Sequence, residues 1–138
     1  MPAIGNVVIN DGASTPVSHT FVPTNIDTNG VANYADQSGG VQSGYPKLTS
    51  SLRDAAVGGS SGSSVNRVQV SVYLPTVADG SDAGIPAGTL LYFHKMDATF
   101  LMPSSGTLAE RKNLLAFSKN YLADASISAQ VQDLTHVY

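Results

Sequence analysis

Two stretches of this chain alternate so regularly that they leave little choice of fold. In Lys47–Arg53, the residues Leu48, Ser50 and Leu52 alternate with Lys47, Thr49, Ser51 and Arg53. In 65–74, Val68, Val70, Val72 and Leu74 alternate with Arg67, Gln69, Ser71 and Tyr73. A period of two sends successive side chains to opposite faces of a pleated strand, so each stretch reads as a β-strand with one aliphatic and one polar, basic face. Between them lies Gly58-Gly59-Ser60-Ser61-Gly62-Ser63-Ser64, a flexible polar connector that reads as a hairpin loop rather than an interdomain linker. A sheet built this way must bury its aliphatic face against another layer.

The rest of the chain supplies further strands and then that layer. Segments 4–9 and 15–26 are β-prone and flank Asn10-Asp11-Gly12, a hairpin signal. Pro16 and Pro23 mark the second segment as an edge or interrupted strand. A turn at Asp27-Thr28-Asn29-Gly30 leads to a short strand at 31–36, and Ser38-Gly39-Gly40 with Gly44-Tyr45-Pro46 makes a loop. The strand at 65–74 is expected to stop at Pro75. Segment 76–88, with Gly80, Gly84, Pro86 and Gly88, reads as an exposed, adaptable loop. The longest strand is expected at 90–102, with Tyr92, His94, Met96, Ala98 and Phe100 on one face, Lys95, Asp97 and Thr99 on the other, and Pro103 as its stop.

Thr107 and Glu110 have capping-box spacing, so a helix should begin near Leu108. On a helical projection Leu114, Leu115, Phe117, Tyr121 and Leu122 gather opposite Lys112, Asn113, Lys119 and Asn120. Asp124-Ala125-Ser126 caps the chain again, and Ile127, Val131 and Leu134 form an apolar stripe on a second, shorter helix. The expectation is one α+β domain over 1–138: an N-terminal hairpin within 1–26, an antiparallel sheet of about five strands within 31–102, and two C-terminal helices within 107–138.

Composition closes several classes of chemistry. The chain has no cysteine, which excludes a disulfide framework, a thiolate zinc site and a thiol nucleophile. His19, His94 and His136 fall in separate elements without metal-ligand spacing, and Glu110 is accounted for as a helix cap. The Gly/Ser loop lacks both the Gly-Lys-Ser/Thr ending of a phosphate-binding loop and the strand-to-helix context of a nucleophile elbow. We therefore expect no catalytic site, no metal, no cofactor and no small-molecule substrate. No apolar run approaches a membrane span, and Met-Pro-Ala-Ile-Gly lacks the basic start of a signal peptide, so no membrane partner is expected.

The charges are segregated. Net charge is -3, yet Lys47, Arg53, Arg67 and Lys95 all occupy the face opposite the aliphatic residues of their strands. If those strands are neighbours, four cations and one acid, Asp97, share a surface with Thr49, Ser51, Gln69, Ser71, Tyr73 and Thr99. Cations, hydroxyls and an aromatic ring together suit a phosphate backbone and unpaired bases. The plain alternative is a solvated sheet face with scattered Lys and Arg. Against it, the other acids (Asp11, Asp27, Asp36, Asp54, Asp79, Asp82, Glu110, Asp124 and Asp133) all fall in turns or helices.

The order of elements, with Gly30-Val31-Ala32-Asn33-Tyr34, the alternating Lys47–Arg53, the stretch from Asn66 through Leu74-Pro75, and the ending from Glu110-Arg111-Lys112-Asn113-Leu114-Leu115-Ala116-Phe117 to Tyr138, resembles the coat proteins of single-stranded RNA bacteriophages, the leviviruses. The likeness spans essentially the whole chain. It implies a structural capsid protein with the RNA-phage coat protein fold: an obligate homodimer whose sheets join edge to edge. Each subunit's helices would cover the partner's sheet, with Val68, Val70, Val72, Met96, Ala98 and Phe100 against Leu114, Phe117, Leu122 and Val131. Such dimers assemble into an icosahedral shell in quasi-equivalent conformers, with the 76–88 loop, through Gly80, Gly84, Pro86 and Gly88, adapting around the symmetry axes. The inner sheet face would bind genomic RNA through Lys47, Thr49, Ser51, Arg53, Arg67, Gln69, Ser71, Lys95, Asp97 and Thr99. Ser71 replaces a basic residue, and Lys95 a stacking tyrosine, of better-known members. The resemblance further implies repression of replicase translation through an RNA hairpin, and a location in the virion and, during assembly, the bacterial host cytoplasm. A dimeric β-rich RNA-binding module that forms no shell, and a small hydrolase with an unrecognised site, are the alternatives.

Overall fold

The computed structural model describes residues 3–56 and 64–137. It has strands β1 (Val7–Asn10), β2 (Ser18–Ile26), β3 (Ala32–Ala35), β4 (Lys47–Arg53), β5 (Val65–Val77) and β6 (Leu90–Pro103), then helices α1 (Leu108–Leu122) and α2 (Ala125–Asp133). The strands form one six-stranded sheet in the order β1-β2-β3-β4-β5-β6, and the four pairings from β1 to β5 are antiparallel. The N-terminal hairpin is thus part of the main sheet, which has six strands where about five were expected beside it. The chain resolves into two compact units, residues 1–54 with 66–101, and residues 55–65 with 102–138. The residues of the expected Gly/Ser loop, Ser64 apart, lie outside the described residues.

Register fixes which side chains share a face. Lys47, Thr49, Ser51 and Arg53 stand opposite Tyr73, Ser71, Gln69 and Arg67, while Leu48, Ser50 and Leu52 stand opposite Val72, Val70 and Val68. The two alternating sequences therefore meet in phase, polar with polar and aliphatic with aliphatic, because a slip of one residue would mix the faces.

Of the two proline expectations, one fails and the other is met in its second form. β5 does not stop at Pro75 but runs to Val77. The Ala78 N–H donates to Thr89 on the β6 side at 2.8 Å, so by strand alternation the nitrogen of Pro75 faces the β4 side. There β4 has already ended at Lys47, opposite Tyr73, and the missing N–H leaves no ladder position empty. β2 is not an edge strand, since it lies between β1 and β3. It is interrupted, with the register shifting between Pro23 and Asn25.

The helix starts follow the sequence. Thr107 accepts from the Glu110 N–H while the Glu110 carboxylate accepts from the Thr107 N–H at 2.7 Å, a complete capping box. Asp124 caps α2 through the Ser126 N–H at 2.9 Å. The expected stripe on α2 is cut short, because Leu134 takes a left-handed conformation with φ 55° just past the helix and is 85% exposed.

A histidine ties the N-terminal hairpin to the rest of its unit. His19 of β2 places Nδ1 2.8 Å from Asp36 and Nε2 3.3 Å from Asp11. Asp36 is buried and also accepts from the Ser38 N–H, while Asp11 accepts from the N–H groups of Val17 and Ala13. The bond to Asp36, then that to Asp11, raises the His19 pKa above its ordinary 6.5. Hydrogen bonds from Ser38 and then His19 lower that of Asp36 below 3.8, and those from Val17, Ala13 and His19 lower that of Asp11. A raised histidine stabilises fully below 6.5 and loses its effect as pH rises through its folded value. The lowered carboxylates act fully above 3.8 and lose their effect as pH falls through theirs. The melting temperature of the wild type should exceed that of His19→Gln most between pH 3.8 and 6.5. Thermal melts across pH check this, and a difference that grows in alkali would contradict it.

Candidate nucleic-acid interface

The polar face is assembled by pairing and not by loops. Four of its positions come from β4 and four from β5, each facing its partner across the ladder. In the middle, Thr49 Oγ1 and Ser71 Oγ share a hydrogen bond at 2.5 Å, which fixes both hydroxyls as one polar unit. Lys47, Arg53, Arg67, Gln69, Lys95, Asp97 and Thr99 are exposed, while Thr49, Ser51 and Ser71 are half-buried. The placement of Lys95, Asp97 and Thr99 follows from β6: Phe93 meets the Tyr73 ring of β5, and positions two, four and six residues later lie on the same side. All ten residues expected from the sequence therefore share one face.

Its electrostatics are uneven. Lys95 Nζ lies 3.3 Å from Asp97 Oδ2, so part of its charge is answered within the face. Arg53 and Arg67 are direct cross-strand partners, and among the described residues neither is paired with a carboxylate. Like charges directly opposite on adjacent strands destabilise a sheet. Lys47 and Arg53 occupy opposite ends of β4, about 20 Å apart, with hydroxyls and an amide between them. A surface of two cationic ends joined by hydrogen-bonding groups can follow an extended anionic backbone. Beside Lys47 and Thr49 a shallow hollow of about 440 Å³ is lined by Asn25, Asn33, Gln42 and Tyr45, among others.

The opposite face is aliphatic and open. Val68, Val70, Val72 and Phe100 are half-buried and Met96 is 40% exposed. Ile9, Phe21, Pro46, Val72 and Leu74 line a hollow of about 310 Å³ there. In the second unit no residue of α1 or α2 is buried: Leu114, Phe117, Leu122 and Val131 all stand in solvent, Phe117 at 71% exposure. Gly80, Gly84 and Gly88 of the β5–β6 loop all have φ between 85° and 88°, where a side chain would be strained. The base of that loop is pinned by Ser43 Oγ, which donates to the Gly88 carbonyl at 2.6 Å.

Three features escape sequence reasoning. The His19 clasp joins residues far apart in the chain. The Ser43 contact belongs to a 3-10 turn, Gln42–Gly44, that carries no periodic signal. Phe93 lies at a polar-face position where the alternation expected a hydrophilic residue. Among the described residues no cluster of His, Asp and Glu could hold a metal ion, and no helix is long and apolar enough to cross a membrane.

Comparison with known proteins gives one family. The model of the levivirus coat protein family matches residues 2–138. The chain is similar to the subunit of a virus-like particle of bacteriophage ESE058, with 29% identity, a TM-score of 0.87, and coverage of 99% of this chain and 100% of that one. It is also similar to that of Beihai levi-like virus 21, with 27% identity, a TM-score of 0.85 and 99% coverage of both. An unassembled bacteriophage coat protein dimer, described as RNA-binding, shares the fold at 16% identity and a TM-score of 0.62, over 98% of each chain. No curated protein matches.

The facing arginines place like charges directly opposite each other across the ladder, which costs the sheet stability. Arg67→Gln should therefore raise the stability of the protein by roughly 0.2–1 kcal/mol. Denaturant unfolding tests this; a variant that is less stable would show that the pair is not repulsive.

Proposed function

The chain belongs to the levivirus coat protein family, and from that premise we propose that it is the structural subunit of an icosahedral shell, which pairs with a second copy, assembles, and packages single-stranded RNA on its polar sheet face. The observation that carries this reading is the unburied helices. Short helices owe most of their stability in proteins to packing of an apolar face, and α1 and α2 bury none of theirs. The aliphatic sheet face has the converse need. A second copy answers both at once: Leu114, Phe117, Leu122 and Val131 of each subunit cover Val68, Val70, Val72, Met96 and Phe100 of the other.

Edge geometry supports the same pairing. β6, 14 residues long, ends the sheet on one side. An unpaired apolar edge of that length invites further pairing, and two β6 strands meeting across a two-fold axis consume both edges.

The role is structural rather than catalytic. Gly80, Gly84, Pro86 and Gly88 let the β5–β6 loop adapt to non-equivalent positions in the shell. Lys47, Arg53, Arg67 and Lys95 neutralise phosphates, and Thr49, Ser51, Gln69, Ser71, Asp97 and Thr99 supply hydrogen bonds between them. A hairpin at a replicase start, bound on this face, would make the same subunit a translational repressor. The protein resides in the virion, after assembly in the bacterial host cytoplasm.

Expressed alone in bacteria, the protein should elute in size-exclusion chromatography as a megadalton species absorbing like nucleic acid. Joint Arg53→Glu and Arg67→Glu substitution should cut the 260 nm to 280 nm absorbance ratio of that species. Unchanged RNA content would remove the polar face from RNA binding, and a wild type that stays at one or two subunit masses would favour a binding module without a shell. Phe117→Asp places a charge in the proposed subunit contact and should abolish assembly, since an unpaired buried charge is strongly destabilising. Wild-type yield and size by light scattering would contradict that contact.

A further inference from the structure

The polar face carries one feature that cations and hydroxyls leave unexplained. Tyr73 of β5 and Phe93 of β6 stand with ring centroids 5.1 Å apart and planes inclined at 39°. Tyr73 is the direct cross-strand partner of Lys47, and Lys95 follows Phe93 by two positions on the same face. Phe93 is 53% exposed. A phenylalanine facing away from the aliphatic side adds nothing to that core, and a solvated strand position would ordinarily hold a polar residue. The Arg53 and Arg67 end of the face has no ring contact of its own among the described residues.

Resting on the reading of this face as an RNA surface, we propose that Tyr73 and Phe93 form a platform on which one unpaired base stacks, with Lys47 and Lys95 holding the phosphates beside it. Every base has a π-face, so such a platform accepts any nucleotide while still demanding a base. In backbone position Lys47 is one strand spacing, about 5 Å, from Tyr73, and Lys95 is two residues, about 7 Å, along β6 from Phe93, which suits a phosphate next to a stacked base. The face is then functionally polar along its length. The Tyr73 and Phe93 end grips bases as well as phosphates, and the Arg53 and Arg67 end, about 20 Å along the strand, grips phosphates alone.

The test uses the full chain freed of RNA and two probes, a ten-nucleotide single-stranded RNA of mixed sequence and an abasic oligomer of equal length and charge. Wild-type protein should bind the base-bearing strand roughly five- to a hundredfold more tightly. Phe93→Thr and Tyr73→Thr should bring that ratio towards one, Phe93→Tyr should preserve it, and Arg53→Gln should weaken both probes equally. Ultraviolet crosslinking of wild-type particles, which needs no substitution, should place nucleotide adducts on Tyr73 or Phe93. A Phe93→Thr variant of wild-type mass that keeps the full ratio overturns the platform. So does a wild-type ratio of one with salt-sensitive binding of both probes, which leaves the RNA surface standing. Failure of the wild type to bind either probe at low salt overturns both readings.

Discussion

A sheet with one aliphatic face persists in water only when another surface covers that face, and the rest of this chain is arranged around that need. β4 and β5 align their Leu and Val residues in register, yet the face they build stays open enough to leave a hollow lined by Phe21, Val72 and Leu74. The helices carry apolar side chains in turn, and none is buried. The two deficits are complementary. On the proposed reading each is covered by a second copy, the arrangement in which obligate interfaces resemble a domain core cut in two.

The same period of two that makes one face aliphatic makes the other polar. Each Val or Leu on the aliphatic side leaves room for a Lys, Arg, Thr or Gln on the other. Facing arginines cost the isolated sheet something, and a clasp such as Asp11–His19–Asp36 at the hairpin holds the unit together through charge-assisted bonds instead of more apolar burial. An acidic protein can thus present a cationic surface to a polyanion.

The fold was legible where local rules decide it. Alternation predicted which residues of Lys47–Arg53 and of β5 share a face, and Thr107 with Glu110 marked the start of α1, because both signals depend only on neighbours in sequence. Pro75 misled because whether a missing N–H matters depends on where β4 ends, a tertiary fact. Leu134 misled because the helical period does not say where a helix stops. The ten polar-face residues were readable from strand parity together with family likeness. Phe93 was not, since alternation reports which face a residue takes and not that an apolar ring will stand in solvent beside Tyr73. The clasp at His19 joins three segments, and only the folded register brings Asp36 to it.

The central claim, that the folded state is completed by a second copy, is tested most directly by following thermal unfolding by circular dichroism over a hundredfold range of protein concentration, with mass measured at each dilution. Folding coupled to association makes the midpoint rise with concentration and leaves no folded species at 14.3 kDa. A folded species of that mass with a midpoint independent of concentration would contradict the account.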